Sequence, residues 1–181
     1  MAANAKSDPA LTPDAAIDHI LGPGNARVTL IEYGDLECPS CGQAHGAVQQ
    51  LRSRYARDVR FVFRHFPLTE VHPHAERAAQ AAEAAGGQGR FWQYVDLLFS
   101  HQSHLGDRDL IVYAQQLGLE MPRFENELSD EVYRQRVNEH VALGTHLRVR
   151  ATPTFYVNGQ MVDVSFGLQR LEDAVQAALA G

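Results

Sequence analysis

Two strongly apolar, β-prone runs dominate the first third of the chain. Val28 to Tyr33 reads Val-Thr-Leu-Ile-Glu-Tyr, nearly unbroken in the manner of a buried central strand. Val59 to Phe66 repeats the pattern and stops at Pro67. Between them, Cys38 to about Tyr55 reads as a helix with Val48 and Leu51 turned to the core. Upstream, Thr12-Pro13-Asp14 has the form of a helix start, with a hydroxyl cap and proline in the first turn. Ile17, Ile20 and Leu21 would be that helix's apolar face, and Gly22-Pro23-Gly24 its stop. Residues 1–11 read as a flexible tail.

From His72 to Leu147 the period becomes helical and stays so. His74–Ala85 is rich in alanine, the best helix former, and Gly86-Gly87 ends it. Phe91, Tyr94, Val95, Leu98 and Phe99 fall on one helical face. Leu110, Tyr113, Ala114 and Leu117 follow the i, i+3, i+4, i+7 template, with Asp107 as the expected cap. Pro122 opens a short helix, and Ser129 is the expected cap of a longer one. The period then returns to two. Thr154–Val157 and Gln160–Val164 flank Asn158-Gly159, a strong hairpin signal. Leu168–Leu179 closes the chain as a helix. The order predicts an α/β fold in which a right-handed βαβ unit and a β-hairpin share one sheet, interrupted by a helical insertion at about 72–147. Residues 12–181 form one domain in this reading.

Composition narrows the function classes. The chain has 181 residues and is 45% hydrophobic and 21% charged, ordinary values for a globular domain. Its net charge of −6, with no basic cluster, argues against nucleic acid as a partner. No apolar run reaches the ~18–20 residues that cross a membrane. Met1 to Pro13 lacks the apolar core of a signal peptide, so the chain as written is expected in the cytoplasm, or outside it if a leader has been trimmed. It is expected to be a monomer with no metal and no organic cofactor.

Cys38 and Cys41 are the only cysteines and stand three positions apart. Chance would give that spacing on the order of one per cent of the time. A disulfide between them would close a very small loop and restrict the unfolded chain little, so chemistry explains the pair better than stability does. Pro39 suits the first turn of a helix. Cys38 would therefore sit at a helix N-terminus, where the helix end favours the thiolate. Glu32 lies within the central strand, where a carboxylate is expensive to bury. It reads either as a proton acceptor for Cys41 with a pKa raised by burial, or as a strand-end acid reaching solvent. Asp35 and Glu37 read as solvated turn acids. Cys38, Cys41 and His45 would share one helical face, leaving open a metal or redox-sensing site completed by His65 or His72. A non-catalytic peptide-binding module is a further alternative.

Several segments taken together resemble the thioredoxin superfamily, and more closely its DsbA-like thiol–disulfide oxidoreductases. They are Glu32-Tyr33-Gly34-Asp35, Cys38-Pro39-Ser40-Cys41, Phe66-Pro67-Leu68 with His72-Pro73, Phe91-Trp92, and Ala151-Thr152-Pro153-Thr154-Phe155. The resemblance covers roughly residues 17–179. It implies a thioredoxin fold with a helical insertion. In the roles it implies, Cys38 attacks, Cys41 resolves, Glu32 is the buried acid beneath them, and Pro153 is a cis-proline facing the disulfide. Thr152 would offer its backbone to a substrate chain as an added strand, with Pro39 and Ser40 beside it. Partners would be protein or small-molecule thiols and disulfides, plus a recycling redox partner not yet identified. The Pro-Ser dipeptide departs from the aromatic or histidine that often follows proline in this family. Because groups near Cys38 set thiolate stability, the direction of electron flow stays open.

Overall fold

A computed structural model describes residues 8–181; residues 1–7, where the tail is expected, lie outside the described residues. The elements are β1 (His19–Leu21), β2 (Val28–Gly34), α1 (Pro39–Arg54), β3 (Val59–His65), α2 (Ala75–Gly86), α3 (Phe91–Ser100), α4 (Asp107–Gln116), α5 (Met121–Ser129), α6 (Arg134–His146), β4 (Thr154–Val157), β5 (Gln160–Val162) and α7 (Gln169–Ala180). The sheet order is β1-β3-β2-β4-β5. β2 and β3 run parallel across the α1 crossover, and every other pairing is antiparallel.

Side chains of β2 alternate between two cores, as a strand covered on both faces requires. Val28 and Leu30 join the cluster that includes Cys41, Ala44, Val48 and Leu51 of α1. Ile31 and Tyr33 join the other, against Val62, Phe66 and partly buried residues of α6. Glu32 has the parity of Val28 and Leu30, so its carboxyl points to the α1 side. The hairpin between β4 and β5 turns at Asn158 (φ 46°) and Gly159 (φ 79°), the paired positive φ that a tight hairpin turn needs. Asn158 Oδ1 accepts from the Thr29 amide at 2.8 Å and fixes the turn to β2.

The N-terminal reading needs correction. The expected helix from Thr12 does not form; Ile17 lies in a turn, and Ile20 and Leu21 belong to β1, which pairs His19–Leu21 with Phe63–Phe61. Residues 8–11 are part of the fold rather than of a tail: Pro9–Leu11 is a short 3-10 helix with Ala10 fully buried. A long-range demand outweighs the local helix signal. Arg64, fully buried on β3, needs acceptors for its five N–H groups. It donates to Asp18 through Nε and Nη2 (both 2.8 Å), to the Ala10 carbonyl (2.7 Å), to the Tyr33 hydroxyl (2.9 Å) and to the Thr12 carbonyl (3.0 Å). Those acceptors converge only if residues 10–18 run across the sheet edge as a turn.

Two caps also differ. Gly106 rather than Asp107 precedes α4, and Asp109 Oδ2 accepts from its amide at 3.2 Å. Ser129 ends α5, and α6 starts after Tyr133.

Candidate active site

Cys38 is the residue immediately before α1, in extended conformation (φ −70°, ψ 122°), with Pro39 as the first helical residue. The turn from β2 delivers it there: the Cys38 amide donates to the Asp35 carbonyl at 3.2 Å. The residue is 6% exposed, and in the thiol form its sulfur donates to the Thr152 carbonyl at 3.4 Å, across 114 residues of sequence. The Thr152–Pro153 peptide bond is cis. Cys41, one turn further along α1, is fully buried, and its sulfur accepts from the Asp35 amide at 3.4 Å. Both cysteines are free thiols. Pro39 and Ser40 are exposed, Ala151 is exposed beside Thr152, and Thr152 itself is buried.

The two thiols are electrostatically opposite. A hydrogen bond from Cys41 lowers the Cys38 pKa against the effect of burial, and the Thr152 side chain and the Cys41 and Ser40 amides act the same way, bringing it to about 5. Burial pushes Cys41 far up, and the bond to Cys38 and the Glu32 charge add to the effect. Glu32 is 2% exposed, and burial, only partly offset by the Arg52 charge, raises it to about 8. The solvent-reaching reading of Glu32 therefore fails: the side chain is enclosed on the Cys41 side of the sheet.

Asp35 and Glu37 are not solvated turn acids either. Asp35 is 1% exposed, and its carboxylate accepts from the Glu37 amide (2.8 Å), the Leu68 amide (2.8 Å) and His72 Nδ1 (2.7 Å). Glu37 accepts from the His74 amide (2.7 Å) and His74 Nδ1 (2.9 Å). These bonds tie the turn before the cysteines to the loop after β3.

The histidines of the metal alternative are engaged elsewhere. His45 stacks on Phe99 with centroids 4.4 Å apart and lies 3.0 Å from Asp96. Among the described residues, the one group of three placed to hold a cation is His65, Glu83 and His140, which contains neither cysteine. Its ligating atoms already have proton partners: His140 Nδ1 accepts from the His65 amide at 3.2 Å, and His65 Nε2 meets Glu83 at 3.1 Å.

Gln102, in the α3–α4 connection, is a residue that no sequence pattern marks. Its Nε2 donates to the carbonyls of Leu36 (3.0 Å) and Cys38 (2.8 Å) and so clamps the turn that carries Cys38. Gly42 makes room for it, since a Cβ there would stand 2.0 Å from Gln102 Oε1. Alanine in a helix interior is favoured over glycine by ~1 kcal/mol, whereas two lost hydrogen bonds cost roughly 1–3 kcal/mol. Gly42→Ala is therefore expected to destabilise the wild-type chain but to stabilise the Gln102→Ala variant. Urea midpoints of the four proteins check the change of sign.

A dithiol at the head of the crossover helix, facing the cis peptide that precedes an antiparallel strand, on a βαβ sheet closed by a hairpin and a helix, defines a thioredoxin-fold protein. A family model described as thioredoxin matches residues 14–177, and the chain belongs to that family. The helical insertion makes the fold DsbA-like. BdbD from Bacillus subtilis, in an oxidised crystal structure, superposes with a TM-score of 0.82 at 23% identity, covering 93% of this chain and 96% of that one. A thioredoxin-like oxidoreductase from Silicibacter pomeroyi gives 0.83 at 26% identity, covering 95% and 97%. The chain is also 48% identical, over 164 residues, to a protein of Salinispora arenicola named Na(+)/H(+) antiporter NhaA 1, covering 91% of this chain and 25% of that protein. A protein of Herminiimonas arsenicoxydans named Na(+)/H(+) antiporter NhaA is 39% identical over 168 residues, 93% of this chain and 27% of its own length. The chain thus spans about a quarter of the length of these relatives. No helix among the described residues is long and apolar enough to cross a membrane.

Proposed function

We propose that this chain is a thiol–disulfide oxidoreductase domain in which Cys38 exchanges with substrate, Cys41 resolves, and the favoured direction is disulfide donation. The split between the two thiols carries this reading: one is a thiolate at neutral pH, the other is buried and held protonated. Stabilising the reduced form of a dithiol makes its disulfide a stronger oxidant. In the donating direction, a substrate thiolate attacks Cys38 of the enzyme disulfide. The Cys38–Cys41 bond breaks, a mixed disulfide forms on Cys38, and the electron pair leaves on Cys41. A second substrate thiolate then attacks the substrate sulfur, giving substrate disulfide and the Cys38 thiolate. Two electrons pass to the enzyme.

Glu32 fits the proton traffic of this cycle. With a pKa of about 8 it is mostly protonated at neutral pH and able to donate to the departing Cys41 sulfur. In the reverse direction its ionised form takes the Cys41 proton. Thr152 supports a substrate in extended form: its carbonyl lies against the Cys38 sulfur and its neighbour Ala151 is exposed, so a substrate backbone laid there reaches the reacting atom. Pro39 and Ser40, next to Cys38 in the chain, are exposed. A disulfide donor works in an oxidising compartment, and we place this one there rather than in the cytoplasm.

Titration of the reduced protein by thiolate absorbance tests the reading. One thiolate is expected to form with a midpoint near pH 5, and Cys38→Ser should abolish it. A midpoint near the ~8.5 of an ordinary cysteine would overturn it.

A further inference from the structure

Asp35 and Glu37 stand three and one residues before Cys38, and each is bound by a histidine 37 residues further along the chain. The two pairs differ in weight. The His74–Glu37 pair is open to water, with 52% of the histidine side chain exposed, and exposed pairs contribute little. The Asp35 side chain is fully buried and His72 is 18% exposed. Asp35 also bonds both cysteines through its backbone, donating to the Cys41 sulfur and accepting from the Cys38 backbone amide. Left alone, a buried carboxylate at this point would oppose a negative charge on Cys38.

We propose that His72 is a positioning residue for Cys38: its imidazolium, held 2.7 Å from the buried Asp35 carboxylate, cancels the negative charge that would otherwise oppose a thiolate on Cys38. The inference rests on the role proposed for Cys38. His72 Nδ1–H points at Asp35, which orients the ring. The loop that presents it is closed by the His72 and Val71 amides donating to the Leu68 carbonyl at 2.9 and 3.0 Å. The Leu68 amide in turn bonds Asp35, so histidine, loop and turn form one hydrogen-bonded ring. Burial works against a charge on His72, but the Asp35 bond and the Asp35, Cys38 and Glu37 charges outweigh it and raise its pKa. The coupling is mutual: a Cys38 charge that favours the imidazolium is favoured by it in turn.

The test compares Cys38 thiolate titration and reduction potential in wild type, His72→Gln and His72→Lys. An opposite charge nearby shifts a pKa by roughly 1–3 units, and partial exposure puts this case at the low end. His72→Gln is expected to raise the Cys38 midpoint by about one unit, a tenfold loss of thiolate stability. That converts to a potential about 30 mV more negative. His72→Lys, keeping a cation, should recover part of both. An unchanged midpoint and potential in folded His72→Gln would overturn the proposal. The alkylation rate against pH, compared in wild type and His72→Gln, gives a second reading. Once the thiolate is formed, loss of the His72 proton makes it more basic and about threefold more reactive, since nucleophilicity follows pKa with a slope of roughly 0.4–0.5. A second rise in the wild type that His72→Gln removes supports the proposal, since Glu32 is present in both proteins; a rise that the variant keeps, or a single-step wild-type profile, contradicts it. A wild-type midpoint near 5 with no response to His72 defeats only this inference, whereas a wild-type midpoint near 8.5 defeats the reading of Cys38 itself.

Discussion

Glu32→Gln is expected to be more stable than the wild-type chain at pH 9 while turning over more slowly. The carboxyl ionises at 4.5 when free and at about 8 in the fold. The folded state therefore holds a proton that the unfolded state has lost throughout that interval. A group whose folded pKa is raised stabilises the fold, relative to alkaline conditions, at pH below the unfolded value. That contribution is lost as pH rises towards the folded value. At about 1.4 kcal/mol per unit, the ionised carboxylate opposes folding by about 5 kcal/mol above pH 8, a large share of a typical domain's stability. Glutamine keeps the shape and never ionises. The stability gap between variant and wild type should thus open between pH 4.5 and 8 and stay constant beyond, as measured by urea unfolding of the reduced proteins at pH 4, 7 and 9. The same substitution removes the proton carrier proposed for Cys41, and general acid–base catalysis contributes about 10²-fold or more, so the step that opens or closes the enzyme disulfide should slow by about a hundredfold. Parallel stability curves across this range would show that Glu32 is not held as a buried acid.

Arg64→Met is the second large effect. It removes the guanidinium paired with the buried Asp18 carboxylate and takes one partner each from the Ala10 and Thr12 carbonyls and the Tyr33 hydroxyl. Breaking a buried pair from one side costs about 3–5 kcal/mol. Asp18 itself is held at about 2, since hydrogen bonds from Arg64, His140 and the Asp14 amide overcome the effect of burial. Its contribution is present above the unfolded value of 3.8 and disappears as pH falls through 2. The variant should therefore lose most stability at neutral pH and progressively less towards pH 2. Arg64→Met with Asp18→Leu, which removes both charges, should regain much of the loss. Thermal unfolding of the two variants at pH 3 and 7 distinguishes this from loss of packing alone, which would be insensitive to pH.

The same arginine explains why part of the fold was illegible in the sequence. Thr12-Pro13-Asp14 and the spacing of Ile17, Ile20 and Leu21 satisfy every local rule for a helix. Their fate is decided by a guanidinium on β3 and by the open edge of that strand, neither of which leaves a mark within the window. Asp35 failed in the same way. Its sequence context, polar and next to a turn, is that of a solvated acid, and two of the partners that bond its buried carboxylate, the Leu68 amide and His72, come from the loop after β3. Gln102 reaches the cysteine turn from the insertion and has no distinguishing neighbours at all. By contrast, the dithiol, Glu32 inside an apolar run, and Thr152-Pro153 ahead of a strand carry their chemistry in adjacent residues. So does the Asn158-Gly159 turn. What the sequence pattern located was the dithiol and four of the five strands; what it left out was β1 and the long-range bonds around the cysteine turn.

Division of labour between the two thiols is the central claim, and trapping tests it most directly. Cys41→Ala, incubated with a peptide disulfide at pH 7 and analysed by mass spectrometry, should accumulate one mixed disulfide on Cys38 that dithiothreitol reverses. Cys38→Ala should accumulate none, because Cys41 is buried and protonated. Equal adducts on both variants, or none on Cys41→Ala, would contradict the account.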